Sequence, residues 1–381
     1  MIPEEWMVRS IGDVFFVEAG GDMDYSRSVI IQDERHPFPI YSNAITNRGL
    51  HGFSSYGDHP SGSITVTARG TLGAANYRDH DFTAIGRVLV LVPKISLDGR
   101  FFAEYLNNCV SFAVESTGVP QLTAPQISKY RVPVPPIDEQ RAIAAALSDV
   151  DALISSLDKL IAKKRDIKQA AMQQLLTGRR RLPGFSGRWE ERRLEDVAAL
   201  DSENLGGDTP RDYEFNYVSL EDVNRGILRG YANQLFSSAP SRARRVIRSG
   251  DVLVSTVRPN LGSHLLFKSS SPDWICSTGF SVVRCVEDAA CPGYVFYHLF
   301  GDYVTRQIDA QLTGSSYPAI SSKDVGNLRM PFPSIDEQRA IASVLSDMDA
   351  EIEALERRRD KTWLLKQGMM QELLTGRVRL V

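Results

Sequence analysis

Hydrophobic positions recur with coiled-coil spacing in two stretches of the chain. In the first stretch, apolar residues alternate four and three positions apart, at Ile143, Leu147, Val150, Ile154, Leu157 and Ile161. In the second stretch, the corresponding positions are Ile341, Leu345, Met348, Ile352 and Leu355. A repeat of about 3.5 residues predicts a narrow apolar seam on a long helix that packs against another helix. Two such seams in one chain most simply pack on each other.

The two predicted helices have well-marked ends. Prolines at 133, 135 and 136, and at 331 and 333, keep the preceding chain extended. Gly178 and Gly376 follow the helices and suit a left-handed C-terminal cap. About 38 residues between these marks would make a helix of about 55–60 Å. The pattern alone leaves two roles open: a helix pair that only holds the molecule together, or a spacer that fixes the distance between two binding domains.

The helical segments are copies of each other. Residues 137–144 read IDEQRAIA and recur at 335–342, an offset of 198 residues. Without a gap, 27 of the 46 positions in 137–182 are identical to their partners in 335–380. A match of this length indicates tandem duplication.

Weaker matches extend the duplication to the rest of the chain. Trp6 corresponds to Trp189, and a loop at 68–73 corresponds to one at 257–262. Otherwise the globular stretches have diverged, which suggests a common scaffold with two different specificities. The predicted domains are 1–134 and 183–332, each followed by a helical segment, 135–182 and 333–381.

Each globular stretch combines β-type runs with a helical stretch. The runs lie at 64–67, 88–92, 252–255 and 280–283, and the helical stretches at 101–108 and 294–307. The sequence therefore predicts an α+β fold, with two domains joined by two long antiparallel coiled-coil helices in a pseudo-twofold tandem repeat.

Composition narrows the class of protein. The hydrophobic fraction is 43% and the charged fraction 24%, which is ordinary for a soluble globular protein. No apolar run reaches 18 residues and the N-terminus lacks a signal-peptide pattern, so we expect no membrane span and a cytoplasmic location. The four cysteines form no CxxC pair, which favours free thiols. The net charge of −3 is unusual for a nucleic-acid binder, but basic clusters at 179–181 and 242–248 remain compatible with DNA contact.

Candidate binding chemistry lies in the glycine-containing loops. Arg69 and Arg258 stand at matched places beside tight turns, where a guanidinium can read a guanine edge with two hydrogen bonds. For a single arginine, an ordinary surface role is the simpler interpretation, but recurrence in both halves favours function. The other candidate DNA contacts, chosen on local chemistry, are Arg78, Asn260, Ser315, Ser316 and Tyr317.

Motifs for catalysis are missing from the sequence. It contains no GxxxxGK[ST] phosphate loop, no HExxH and no GxSxG. We therefore expect no catalytic activity, no cofactor and no metal site in this chain.

The repeated helices carry a family resemblance. The segment Pro-(Pro/Ser)-Ile-Asp-Glu-Gln occurs at 135–140 and again at 333–338, and each helix closes with Leu-Leu-Thr-Gly-Arg. With two variable domains, this pattern resembles the specificity subunit of type I restriction-modification enzymes over the whole chain. The resemblance implies that each domain reads one half of a bipartite, asymmetric double-stranded DNA site, while the helix pair sets the spacing between the halves.

The resemblance also implies partners. Two adenine-N6 methyltransferase subunits would dock on the helical region, and an ATP-dependent restriction subunit is a further possible partner. DNA methylation and cleavage would then reside in those subunits. The candidate partner-binding residues lie at the helix starts: Glu139, Gln140, Arg141, Glu337, Gln338 and Arg339.

Two other functions compete with this interpretation. A structural coiled-coil adaptor would join two protein-binding domains without sequence-specific DNA binding. A fused modification enzyme would need an Asn/Asp-Pro-Pro-(Tyr/Phe) motif, whereas the only Pro-Pro pair, at 135–136, is followed by Ile137.

Overall fold

The computed structural model describes residues 3–112, 120–312 and 318–380. It divides into two compact units. Unit 1 comprises Met1–Asp158 with Arg357–Val381, and unit 2 comprises Lys159–Glu356. Each unit mixes sheets with helices, which confirms the α+β prediction, and each long helix contributes one of its halves to each unit. The proposed domain boundaries stay a prediction.

Unit 1 contains two four-stranded sheets and one two-stranded ladder. Its strands are β1 (Met7–Ser10), β2 (Phe15–Ala19), β3 (Ser28–Val29), β4 (Phe38–Tyr41), β5 (Leu50–Ser54), β6 (Ile64–Val66), β7 (Ala75–Tyr77), β8 (Thr83–Ala84), β9 (Leu89–Pro93) and β10 (Arg131–Val134). Its helices are α1 (Ile11–Val14), α2 (Gly99–Cys109), α3 (Ala124–Ser128) and the first half of α4 (Ile137–Leu175). The sheet orders are β2-β9-β6-β7 and β3-β5-β4-β8, and β1 pairs with β10.

Unit 2 repeats this plan. Its strands are β11 (Glu190–Arg193), β12 (Ala198–Leu200), β13 (Glu214–Val218), β14 (Val223–Asn224), β15 (Ile227–Leu228), β16 (Ala232–Leu235), β17 (Ala243–Ile247), β18 (Val252–Ser255), β19 (Leu265–Leu266), β20 (Trp274–Ser277), β21 (Phe280–Cys285) and β22 (Arg329–Phe332). Its helices are α5 (Pro292–His298), α6 (Asp302–Gln311), α7 (Ser322–Gly326) and the first half of α8 (Ile335–Leu373). The sheet orders are β12-β21-β18-β19 and β16-β13-β20-β17, with β11 paired to β22.

The two units share their strand topology although their sequences differ. The order β2-β9-β6-β7 corresponds strand for strand to β12-β21-β18-β19. In the second sheet, β4 lies antiparallel to β5 and parallel to β8, as β13 does to β16 and β20. Equivalent loops can therefore be identified by the strands they connect, even where no residue matches.

Short apolar runs form the predicted strands because both of their faces are covered. All residues of β6 and of β18 are buried, in line with the continuous apolar runs of strands that are covered on both faces. One sequence-based prediction is wrong: the helical stretch at 294–307 is two helices, α5 and α6. Gly301 adopts an extended conformation at the start of α6 and separates them.

The predicted coiled-coil seams are confirmed. Every seam residue is buried or half-buried, and each long helix spans 39 residues. Within each unit, the halves of α4 and α8 run antiparallel and are joined by ion pairs, Lys366 to Asp151 at 2.7 Å in unit 1 and Lys164 to Glu351 at 2.6 Å in unit 2. The glycines after the helices, at 178 and 376, have φ of +68° and +73°, the left-handed cap that the sequence predicts.

A buried glutamate fixes the start of each long helix. In unit 1, the fully buried Glu139 carboxylate accepts hydrogen bonds from Trp6 Nε1 at 2.9 Å and Arg379 Nη2 at 2.8 Å. In unit 2, the equally buried Glu337 accepts from Arg181 Nε and Nη2, both at 2.6 Å. These bonds raise the pKa of both arginines. Because Arg181 follows α4 and Arg379 follows α8, the segment after one helix holds the start of the other.

The next residue in each copy ties its helix to the sheet domain. Gln140 Oε1 accepts from the Asp98 N–H at 2.9 Å, and its Nε2 donates to the Pro135 carbonyl at 2.8 Å. Gln338 Oε1 accepts in the same way from the Cys291 N–H, also at 2.9 Å. Asp98 and Cys291 are the N-terminal caps of α2 and α5. The repeated Glu-Gln pair therefore connects three parts of each unit.

We expect Gln140→Ala and Gln338→Ala each to lower the free energy of unfolding by about 1–3 kcal/mol, because each leaves a buried backbone N–H without an acceptor. Urea unfolding of the full chain measures the loss. Arg141→Ala is the control, since its side chain is 61% exposed and should change stability by no more than about 0.5 kcal/mol. An equal effect of all three substitutions would contradict this role for the glutamines.

Candidate nucleic-acid interface

The predicted arginine loops connect equivalent strands. Arg69 lies between β6 and β7, and Arg258 lies between β18 and β19. Both residues are exposed. Each loop is held by a matched backbone bond, from Gly70 N–H to the Pro120 carbonyl at 3.2 Å and from Arg258 N–H to the Pro318 carbonyl at 2.7 Å. The matched bonds place Arg258 at the position of Gly70, so the two arginines lie on equivalent loops but one position apart.

The loop in unit 2 has a constrained backbone. Arg258 adopts φ +49° and ψ +51°, which an L residue rarely occupies, and it precedes a single 3-10 turn over Pro259–Leu261. Pro259 is buried and anchors the turn, whereas Asn260 is exposed beside Arg258. This geometry presents a guanidinium and an amide on one short rigid segment. Together they can offer the donors that read guanine and the paired donor and acceptor that read adenine.

His264 supports this loop from inside unit 2. Its Nδ1 accepts from the Ser255 N–H at 3.1 Å, and its carbonyl accepts from the Gly226 N–H at 2.9 Å. Its ring lies edge-on to Phe300, with 5.6 Å between centroids. Burial lowers the pKa of His264 to about 4, so the imidazole is neutral near pH 7. Sequence analysis did not single out this histidine, since its function depends on contacts with three other segments.

Arg78 is buried, with only 4% of its surface exposed. Its Nη2 donates to Thr65 Oγ1 at 2.7 Å and to the Arg48 carbonyl at 2.6 Å, and its Cζ lies 3.4 Å from the centroid of the Tyr41 ring. Burial lowers the pKa of Arg78 to about 10, which still leaves it charged at neutral pH. The predicted DNA contact needs an exposed side chain, so these contacts instead favour a role in holding the neighbouring loop.

The predicted partner-binding residues divide into two groups. The four side chains of the repeated Glu-Gln pair are at most 1% exposed and are occupied by the contacts described above. Arg141 and Arg339 are exposed at 61% and 53%, and their ion pairs lie at the surface, to Asp138 at 3.6 Å and Asp288 at 3.1 Å. Partner binding stays a prediction for all six residues, and only these two arginines present a side chain to solvent.

The predicted phosphate-binding loop, Ser315, Ser316 and Tyr317, lies outside the described residues. Its role in binding DNA stays a prediction. The neighbouring residue Pro318 is described, and its carbonyl binds the Arg258 N–H, so the segment that follows this loop lies against the arginine turn.

The sequence analysis did not single out a second pair of arginines, Arg48 and Arg225. Residues 38–49 and 215–226 match without a gap at an offset of 177, sharing Phe, Ser and a final Asn-Arg-Gly. This match is visible in the sequence. Its offset of 177 residues differs from the offset of 198 between the helices because the units have gained and lost residues independently.

The described residues give no indication of a metal centre or a membrane span. No group of three His, Cys, Asp or Glu side chains among them could hold a metal ion. No helix in the described part of the chain is long and apolar enough to cross a membrane. The four cysteines are free thiols, as the sequence suggests.

We expect stability to fall as the pH decreases from about 6.5 to 4. In this window His264 is protonated in the unfolded chain but neutral in the folded one, so unfolding takes up a proton. A difference from 6.5 to about 4 corresponds to about 3 kcal/mol. His264→Asn, which keeps an acceptor for Ser255, should reduce the pH dependence of the urea midpoint, and the buried His298, whose pKa burial lowers to about 3, should contribute to the dependence that remains. Substitution of the exposed His51 by Asn should leave it as in the wild type, and an unchanged slope for His264→Asn would contradict the assignment.

Comparison with known proteins agrees with this arrangement of loops and helices. The chain matches the family described as "Type I restriction modification DNA specificity domain" twice, over residues 3–164 and 187–361. It is 24% identical over 291 residues to the type I restriction enzyme MjaVIII specificity subunit of Methanocaldococcus jannaschii, covering 70% of this chain and 66% of that protein. It is 27% identical over 278 residues to the putative MjaX specificity subunit of the same organism, covering 67% of this chain and 60% of that protein. The chain thus spans less than two thirds of either relative.

Solved structures show the same fold. The S subunit of a type I restriction-modification system from M. genitalium superposes with a TM-score of 0.65 at 17% identity, covering 98% of this chain and 96% of that one. A chain from a study of complex assembly and conformational transition in a type I restriction-modification system gives a TM-score of 0.56, also at 17% identity, covering 99% and 100%. Because the family pattern covers both halves, the chain belongs to the type I restriction-modification DNA specificity domain family.

Proposed function

We propose that this chain is the non-catalytic DNA-recognition subunit of a type I restriction-modification complex. Each unit would read one half of a bipartite, asymmetric DNA site. The observation that carries this proposal is the pair of exposed arginines, Arg69 and Arg258, on loops that connect equivalent strands in two units with diverged sequences. Equivalent loops that carry the arginine one position apart suit two readers that share a docking geometry but recognise different bases.

Unit 2 carries two candidate base-reading side chains on one turn. Arg258 and Asn260 are exposed on a turn whose backbone is fixed by the buried Pro259 and by the bond to Pro318. A fixed backbone reduces the entropy lost when a guanidinium docks on a base edge. In unit 1, Arg69 is the residue that would contact the bases. Residues 1–134 and 183–332 would form the two target recognition domains.

The helices would set the spacing of the half-sites. We assign this role to the segments 135–182 and 333–381, whose coiled-coil seams make them stiff, and we place the docking of two adenine-N6 methyltransferase subunits on them. Arg141 and Arg339 are the exposed candidates for that contact. An ATP-dependent restriction subunit would be a further partner. With a net charge of −3, the chain would share the binding of DNA phosphates with these subunits in the cytoplasm.

The first test is a base-resolution map of N6-methyladenine in the source genome, with and without this chain. We expect one split motif to lose methylation when the chain is absent. An unchanged map, together with purification of the chain from its source without a methyltransferase subunit, would contradict the proposal and favour the structural adaptor.

Arg258→Ala should relax recognition in one half of the motif, with a discrimination loss of about 1–3 kcal/mol at that position. Arg69→Ala should act in the same way on the other half. Methylation of oligonucleotides with single base changes, by the complex that contains each variant, measures both effects. If either substitution weakened all sequences equally, the arginine would be a phosphate contact and not a base reader.

A further inference from the structure

Both units carry the same tripeptide, Asn-Arg-Gly, in the same connection of the fold. It occupies 47–49 in the connection from β4 to β5, and 224–226 in the connection from β13 to β16. These strands are equivalent, since β4 pairs antiparallel with β5 and parallel with β8, as β13 does with β16 and β20. In unit 2 the tripeptide forms the turn between β14 and β15, a short hairpin within this connection. The tripeptide is therefore shared by two domains that otherwise differ.

The arginine of each tripeptide has a left-handed backbone. Arg48 has φ +51° and Arg225 has φ +44°, and the following glycines have φ of +85° and +88°. Asparagine and glycine occupy this region more readily than arginine does. A turn selected only for its shape would therefore carry Asn or Gly at this position. Retention of arginine in both units points to a role for the side chain.

The guanidinium groups of Arg48 and Arg225 make no close polar contact with the described residues of their units. Both residues are exposed, and no hydrogen bond or ion pair holds either guanidinium among the described residues. In the described part of unit 1, the Arg48 carbonyl accepts from Arg78, and the Arg48 side chain interacts electrostatically with the Glu104 carboxylate. Two unpaired guanidinium groups at equivalent turns are available for an anionic ligand.

Each turn is joined to the arginine loop of the same unit. In unit 1, Asn43 lies in the same connection as Arg48 and its Oδ1 accepts from the Ala68 N–H at 2.7 Å, next to Arg69. In unit 2, the Gly226 N–H binds the His264 carbonyl, just beyond the Arg258 loop. The Arg225 side chain also runs beside that loop, with its Cγ 3.6 Å from where a Cβ on Gly262 would lie. Arg225 therefore lies beside the loop of Arg258, and in unit 1 the connection that carries Arg48 is bonded to the loop of Arg69.

We propose that Arg48 and Arg225 are equivalent contacts to the DNA phosphate backbone, one in each half-site. This inference rests on the proposed DNA recognition. Two domains that read different bases share only the sugar-phosphate backbone as a common ligand, so a residue kept in both suits that contact. A guanidinium binds phosphate through two parallel hydrogen bonds, and each turn carries its arginine in a connection that is bonded to the proposed reader loop of the same unit.

The test is the salt dependence of DNA binding by the complex of the full chain with its methyltransferase subunits. The probes are a duplex containing the methylated motif and an unrelated duplex of the same length. We expect Arg48→Asn and Arg225→Asn each to lower the slope of log affinity against log salt by about 0.9, and the double variant by about 1.8. Affinity should fall on both duplexes by the same factor, and preference for the motif should be retained.

Matched controls separate this contact from general charge and from folding. Arg35→Asn and Arg211→Asn remove exposed arginines three residues before β4 and β13, at the opposite ends of these strands, and should leave the slope unchanged. Because asparagine suits the left-handed backbone, Tm of the Arg48 and Arg225 variants should stay constant or rise. A lower Tm that accounts for the lost affinity would overturn the proposal.

Two further outcomes are distinguishable. If the wild-type complex prefers its motif but Arg48→Asn and Arg225→Asn keep the wild-type slope, or if their loss depends on the bases of one half-site, this inference fails while the proposed function stands. If the wild-type complex shows no preference for any split motif, the proposed function fails and this inference fails with it.

Discussion

The fold depends on a carboxylate buried at the start of each long helix. A fully buried charge is strongly unfavourable unless it is paired, and Glu139 and Glu337 are each paired with an arginine from the segment that follows the opposite helix. The adjacent glutamines then accept hydrogen bonds from the N-cap residues of α2 and α5. Because these bonds form only when three chain segments meet, they define where each helix begins and which domain stands on it.

Because these bonds hold the helices and the sheet domains in place, the loops could diverge in sequence. The strand order is the same in both units, and the connections after β6 and β18 each present an exposed arginine held by a backbone bond. Backbone bonds place a loop without using its side chains, so the side chains are free to change with the DNA target. This separation of support from recognition explains how one scaffold can serve two half-sites.

The proposed division of DNA contacts follows the same logic. Arg69 and Arg258, which stand one position apart on equivalent loops, would read bases, and the Asn-Arg-Gly turns that the units share would bind the backbone that both half-sites share. His264 connects the two kinds of contact in unit 2, since it binds the glycine of one turn and lies just beyond the other. Its neutral form, favoured by burial, makes the site sensitive to acid.

The sequence by itself determined the duplication, the two coiled-coil helices with their ends, the α+β class and the equivalence of the loops that carry Arg69 and Arg258. These features depend on local periodicity or on repetition, which are visible in one dimension. Only the tertiary structure decided that the repeated Glu-Gln pair is buried, that Arg78 lies inside unit 1, and that the stretch at 294–307 forms two helices. The physical reason is that burial depends on partners distant in the chain, 133 residues for Trp6 and Glu139 and 240 for Glu139 and Arg379, and no local pattern encodes such a meeting.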